Sequence, residues 1–142
     1  LAATFMNGEV YAEFRRGEAV SEAPFAFEID GMRVIGGADR VGQDYVLDYK
    51  TDSEIDESHH RFQLWAYAKA FDKHRAVLAY LRHNEVREFD AGRLGEIGQE
   101  ALSLIARIRA GDHAPEPTPD KCSRCRYLQI CPAGQAVAPP LP

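Results

Sequence analysis

The sequence has no run near the ~18 consecutive apolar residues that a membrane-spanning helix requires, and it does not open with a charged-then-apolar secretory signal. The chain is therefore expected in the cytoplasm, with no membrane partner. Cysteine is scarce and confined: none precedes Cys122, and all three lie at Cys122, Cys125 and Cys131. An odd, clustered set in an unsignalled chain argues against disulfides and for metal ligation. No internal repeat is visible. An excess of positive charge is also missing, since 17 Lys and Arg face 22 Asp and Glu for a net charge of −5. Taken as a total, that balance argues against a nucleic-acid partner gripped by charge alone.

What is present fits one soluble globular domain. The 142 residues are 45% hydrophobic and 27% charged, and a chain of this size buries roughly two-thirds of its unfolded surface without a disulfide scaffold. The negative charge is not spread evenly. Between Asp39 and Glu57 seven acids face two bases, so that segment carries the whole net charge and the remainder is neutral. Asp39 and Asp48 are the part of this excess that a divalent metal would offset. Asp44, Asp52, Glu54, Asp56 and Glu57 read as a solvated loop with no ligand among them.

Apolar residues spaced three and four apart, from Phe5 to Phe14, predict a short amphipathic helix over 4–16, weakened by Gly8. Pro24 breaks that pattern, and Phe25, Phe27 and Ile29 then alternate with polar or small residues as in a strand. Asp30-Gly31 predicts a tight hairpin turn into a second strand, MRVIGGADRV, where Gly36-Gly37 suggests a bulge or close backbone approach. DYVLDYK reads as a third strand, 59–73 as a helix, 76–81 as a buried strand and EVREFD as an edge strand. The clearest helix runs from Gly92 to Ala110 on a stripe of Leu94, Ile97, Ala101, Leu104, Ile105 and Ile108, with Gly111 as its stop. The expected division is a core over 1–111, a proline-rich linker over 112–120 and a cysteine-rich tail over 121–142.

Chemistry concentrates at the second and third strands. Asp48 and Lys50 are two apart on a strand and share a face, while Tyr49 turns away. Antiparallel pairing would bring Asp39 toward Asp48. Converging carboxylates hold a hard cation such as Mg²⁺ through oxygen, leaving positions for water and phosphate. A metal so held lowers the pKa of bound water, and a nearby lysine orients the attack or stabilises developing negative charge. The plainer alternative is an exposed Asp48–Lys50 ion pair worth at most about 1 kcal/mol.

Gly36-Gly37-Ala38-Asp39-Arg40 followed by Val46-Leu47-Asp48-Tyr49-Lys50-Thr51 resembles the G-x-x-D-R … D-Y-K-T pattern of the PD-(D/E)xK nucleases, most closely the RecB-like exonuclease domains. Those include the C-terminal nuclease domains of RecB and AddAB/AdnAB helicase-nucleases and CRISPR-associated exonucleases. Gln63 and Tyr67 match that branch's Q-x-x-x-Y motif and, four apart, share a helix face. Ser21-Glu22-Ala23-Pro24-Phe25 resembles the family's strand lead-in, with no role assigned to Glu22. The resemblance implies a restriction-endonuclease-like α/β core, a central mixed sheet flanked by helices with a cysteine-rich appendage. It further implies Mg²⁺ or Mn²⁺ on Asp39 and Asp48, Lys50 as the catalytic base-side group, and Gln63 and Tyr67 positioning single-stranded DNA. The implied activity is phosphodiester hydrolysis in DNA repair or recombination, beside a helicase motor region or subunit. The neutral remainder of the chain fits that setting, because it predicts weak DNA affinity without a partner.

Cys122, Cys125 and Cys131, spaced Cys-x2-Cys-x5-Cys-Pro, resemble the last three ligands of the iron–sulfur staple in AddB-type and CRISPR-associated members. Four thiolates normally hold such a 4Fe-4S cluster. In those relatives the fourth cysteine lies before the nuclease core, and the same upstream region carries a metal-binding histidine on the first helix. Here the first histidine is His59, so the expectation is a core lacking its N-terminal helix. Zinc with His113 as fourth ligand, or three reduced thiols, is the alternative for the tail. Lys121, Arg124 and Arg126 make that segment locally basic, as a DNA contact or a solvated knuckle. His59-His60 sits at a helix start, to be read as capping or exposure before phosphate contact. Two rival functions remain: a catalytically incomplete DNA-binding or scaffold domain, and a stand-alone CRISPR or phage RecB-like exonuclease.

Overall fold

The alternating aromatics at 25–29 pack as the predicted strand in a computed structural model that describes residues 2–138. β1 (Val20–Ile29) and β2 (Met32–Val41) form a long antiparallel hairpin, paired from Val20↔Val41 to Ile29↔Met32. Asp30 and Gly31 both have positive φ, 47° and 71°, the backbone that a two-residue hairpin turn with the sheet's own twist demands. Pro24 does not end or begin this strand but lies inside it. β1 is an edge strand, bonded on one side only, and a proline there costs no interior ladder bond. Gly36 is a close approach: a Cβ there would fall 2.7 Å from the Phe25 ring across the pair.

β3 (Val46–Lys50) is antiparallel to β2, β4 (Ala76–Tyr80) is parallel to β3, and β5 (Glu85–Phe89) is antiparallel to β4. The sheet is mixed, with its five strands in sequence order. The parallel β3–β4 step requires a crossover, supplied by α2 (Arg61–Ala70). β4 reads AVLAY and is buried at every residue, the continuous apolar run of a strand covered on both faces. On one face Leu64, Tyr67 and Ala68 of α2 pack with Val46, Leu78 and Phe89. On the other, Phe5, Tyr11 and Phe14 cover Leu47, Val77 and Ala79.

The single helix expected over 4–16 is instead α1 (Ala2–Asn7), a break at Gly8, and one 3-10 turn at Glu9–Tyr11. Gly8 is extended (ψ 165°), which a residue with poor helix propensity permits. The break lets Tyr11 pack its ring, tilted, against those of Phe5 and Phe14, with centroids 5.4 and 5.7 Å apart. α3 (Ala91–Arg109) buries Leu94, Ile97, Ala101 and Ile105, while Ile108, in the expected stripe, is exposed. Gly98 is needed beneath Trp65: a Cβ there would lie 2.5 Å from the indole Nε1.

Among the described residues no helix is long and apolar enough to cross a membrane. The chain divides into two compact units at Ile105/Ala106. In the second unit, residues 112–118 have no helix or strand, and Arg107 pairs with Asp112 and Glu116 at 2.8 and 2.7 Å. α4 (Pro119–Ser123), a 3-10 turn at Leu128–Ile130 and α5 (Pro132–Gln135) surround a small core of Cys122, Leu128 and Ala138.

Candidate active site

Strand alternation places Val46, Asp48 and Lys50 on the α2 face of β3, with Leu47 and Tyr49 on the other. Asp48 is 2% exposed and is the one buried charged residue among those described. Lys50 Nζ pairs with the buried Asp48 Oδ2 at 2.6 Å. Burial raises the Asp48 pKa above the ordinary carboxylate value. Lys50 and, more weakly, His60 pull it down, while the charge of Asp39 pushes it up.

Asp39 is placed by an irregularity in β2. Ala38 and Val41 both pack on the α2 face, three apart, an interval that a regular pleat forbids, and Arg40 turns to the opposite face. Asp39 falls within this slip. Opposite it stands Glu22, between the pairs Ser21↔Arg40 and Ala23↔Ala38, with φ at 52°. β2 and β3 pair only at Arg40↔Leu47 and Val41↔Val46 and then part. In the gap, Asp39 Oδ2 accepts the Tyr49 backbone N–H at 2.8 Å.

α2 closes the site. Lys50 Nζ donates to Gln63 Oε1 at 2.9 Å, and Gln63 Nε2 donates to the Tyr67 hydroxyl at 2.6 Å. Burial pushes the Tyr67 phenol up to about 12; Gln63 lowers it, and the charges of Asp48 and Asp39 with a hydrogen bond to Asp48 raise it further. The four side chains Asp48, Lys50, Gln63 and Tyr67 thus form one continuous polar circuit. The structure brings together five residues singled out in the sequence: Asp39, Asp48, Lys50, Gln63 and Tyr67. Gln63 and Tyr67 touch the acid and the lysine themselves.

Two further residues were less legible. Arg40, inside the G-x-x-D-R pattern, donates to Phe14 O at 2.9 Å and to the Tyr45 hydroxyl at 3.2 Å, bracing the opposite face. His60 bonds Asp52 through Nε2 at 2.8 Å instead of capping its helix with a side chain. The loop acids have protein partners: Asp56 accepts from Ser58, and Glu57 pairs with Arg87 and Arg93.

Cys122, Cys125 and Cys131 all lie in the second unit as free thiols, buried, exposed and half-buried respectively. Among the described residues, no three His, Cys, Asp or Glu side chains are disposed to hold a metal ion together. The pair Asp39 and Asp48 does suit a hard cation, because both offer carboxylate oxygen and the buried Asp48 lies close enough to Asp39 to feel its charge.

A mixed five-stranded sheet flanked by helices, with acids and a lysine at the parting of its inner strands, defines a restriction-endonuclease-like α/β protein. Residues 2–132 match the model of the PD-(D/E)XK nuclease superfamily, and the chain belongs to that superfamily. Its nucleases generally use Mg²⁺ or Mn²⁺. The chain is similar to the Gene 69 protein of Mycobacterium phage L5, at 34% identity over 78% of this chain. It spans only 43% of that relative's length. In fold it is similar to the crystal structure of SSO0001, with a TM-score of 0.52 and 20% identity over 94% of this chain and 66% of that one.

Proposed function

We propose that this chain is a metal-dependent deoxyribonuclease domain of the RecB-like branch, hydrolysing phosphodiester bonds in single-stranded DNA. The observation that carries the reading is Asp48: a buried carboxylate ion-paired with a lysine and beside a second acid. A buried charge this costly is retained where a site uses it. Asp39 and Asp48 would hold Mg²⁺ or Mn²⁺. Such a cation, when bound, lowers the pKa of water and offsets charge on the phosphoryl oxygens. Lys50 directs its ammonium at the phosphoryl oxygen or the attacking water, and the Gln63–Tyr67 pair keeps it there. The similarity to a phage protein supports a phage exonuclease over a helicase-nuclease as the setting.

In the tail, Cys122, Cys125 and Cys131 are read as part of an iron–sulfur or zinc staple. Supporting this, the Cys122 and Cys131 sulfurs both lie 3.6 Å from the point where a Gly134 Cβ would stand.

The test is cleavage of end-labelled single-stranded DNA by the full chain with Mn²⁺, Mg²⁺ or a chelator. Lys50→Ala is expected to lower the rate by about 10²–10³, the usual cost of one transition-state-stabilising donor. Equal cleavage by Lys50→Ala, or cleavage that survives chelation, refutes the assignment.

A further inference from the structure

Lys50 is the last residue of β3, a flexible side chain at a strand end, with Asp48 and Gln63 Oε1 as its polar partners. Gln63 is itself exposed and is the third residue of α2, so it stays in place only while the first turn of α2 is formed. That turn lacks the usual device. His60 occupies the N-cap with φ −106° and ψ −6°, and its side chain accepts no backbone N–H. An uncapped first turn leaves amides unsatisfied and frays readily.

We propose that His60 and Asp52 form a clasp that replaces the cap and positions Lys50, acting through Gln63; the proposal rests on Lys50 being the group that serves hydrolysis. The His60 Nε2 to Asp52 Oδ2 contact, 2.8 Å, joins the first turn of α2 to a residue two positions past Lys50. Asp52 follows a firmly held stretch of chain. Lys50 O accepts Leu81 N at 2.9 Å, and Thr51 O accepts Arg82 Nε at 2.5 Å. The clasp therefore ties the two segments whose register decides whether Gln63 meets Lys50. Arg61 does a different job, linking α2 to Glu100 of α3 at 2.7 Å and donating to Ser58 O. Neither of those contacts fixes α2 against the end of β3.

His60→Ala, Asp52→Ala, the double variant and His60→Gln in the full chain test this with two readouts. In the metal-free protein, amide exchange at residues 64–66, whose N–H groups close the first turn of α2, is expected to quicken roughly fivefold in the alanine variants, with β4 and α3 unchanged. In cleavage, kcat is expected to fall roughly tenfold at nearly constant KM, as a small misplacement of a reacting group does. The double variant should be no worse than either single, because both remove the same bond. His60→Gln, which keeps an amide donor, should recover most of the rate. Unchanged exchange at 64–66, exchange quickened throughout the core, additive losses, or a raised KM at constant kcat would each overturn the clasp. The exchange readout needs no activity, so an inactive wild type would defeat the nuclease reading while leaving the clasp decided by exchange alone.

Discussion

Asp48→Asn should separate the cost of the site from its use. Burial is the largest influence on Asp48 and raises its pKa, so the ionised form is less favourable in the folded chain than in the unfolded one. At pH 8 the metal-free protein carries that cost, about 1.4 kcal/mol for each unit of upward shift. As pH falls through the folded-state pKa, the folded chain takes up a proton that the unfolded chain does not. Stability from this group therefore rises, and the gain is complete below the unfolded value of about 3.9. Asparagine has the same shape, removes the charge and keeps an oxygen for Lys50. The variant should match or exceed the metal-free wild type at pH 8 by up to about 1 kcal/mol, and lose the advantage as pH falls. Urea unfolding in chelator at several pH values measures this, and the difference between the two proteins cancels carboxylates that titrate in both. Saturation with Mn²⁺ reverses the order, adding about 2.7 kcal/mol to the wild type at a hundredfold excess over Kd. If Asp48→Asn is instead less stable than metal-free wild type by more than about 2 kcal/mol at pH 8, the Lys50 ion pair outweighs burial and the reasoning fails.

Tyr67→Phe removes the hydroxyl that Gln63 Nε2 donates to and that bonds Asp48; it should lower kcat by roughly tenfold or more, with Mn²⁺ affinity by calorimetry nearly unchanged. A variant with full kcat would show the polar circuit to be dispensable. Gly98→Ala gains helix propensity but drives a methyl against the Trp65 indole, so a net loss of about 1–2 kcal/mol is expected, with altered tryptophan emission, by urea unfolding. A stabilised Gly98→Ala would mean that the ring shifts at no cost.

The strands and the site were legible because both rest on short-range pattern. Asp30-Gly31 declared the hairpin, and the two-residue interval from Asp48 to Lys50 placed both on one face. The four-residue interval from Gln63 to Tyr67 likewise set them on one side of α2. What escaped depended on where the chain lies in the sheet. Pro24 looks like a strand boundary until β1 is known to be an edge, and the helix over 4–16 looks continuous until Gly8 is seen extended. The position of Asp39 rests on a slip of the pleat and a parting of two strands, neither of which leaves a periodic trace. Gln63 and Tyr67 look like groups for a bound strand, and their contacts with Lys50 and Asp48 depend on how α2 crosses β3. His60 was equally obscure, because its partner Asp52 belongs to a loop whose acids look uniformly solvated.

Tyr49 separates two jobs that active sites usually join. Its backbone amide holds Asp39, while its ring lies on the far side of the sheet and its hydroxyl meets that of Tyr11. The acid is thus oriented by the path of the strand and not by the chemistry of the side chain at 49. Substitutions at Tyr49 that spare the strand are free to remodel the opposite face. Those that shift the strand, even from beneath, are felt at Asp39 as a rotation of its carboxylate.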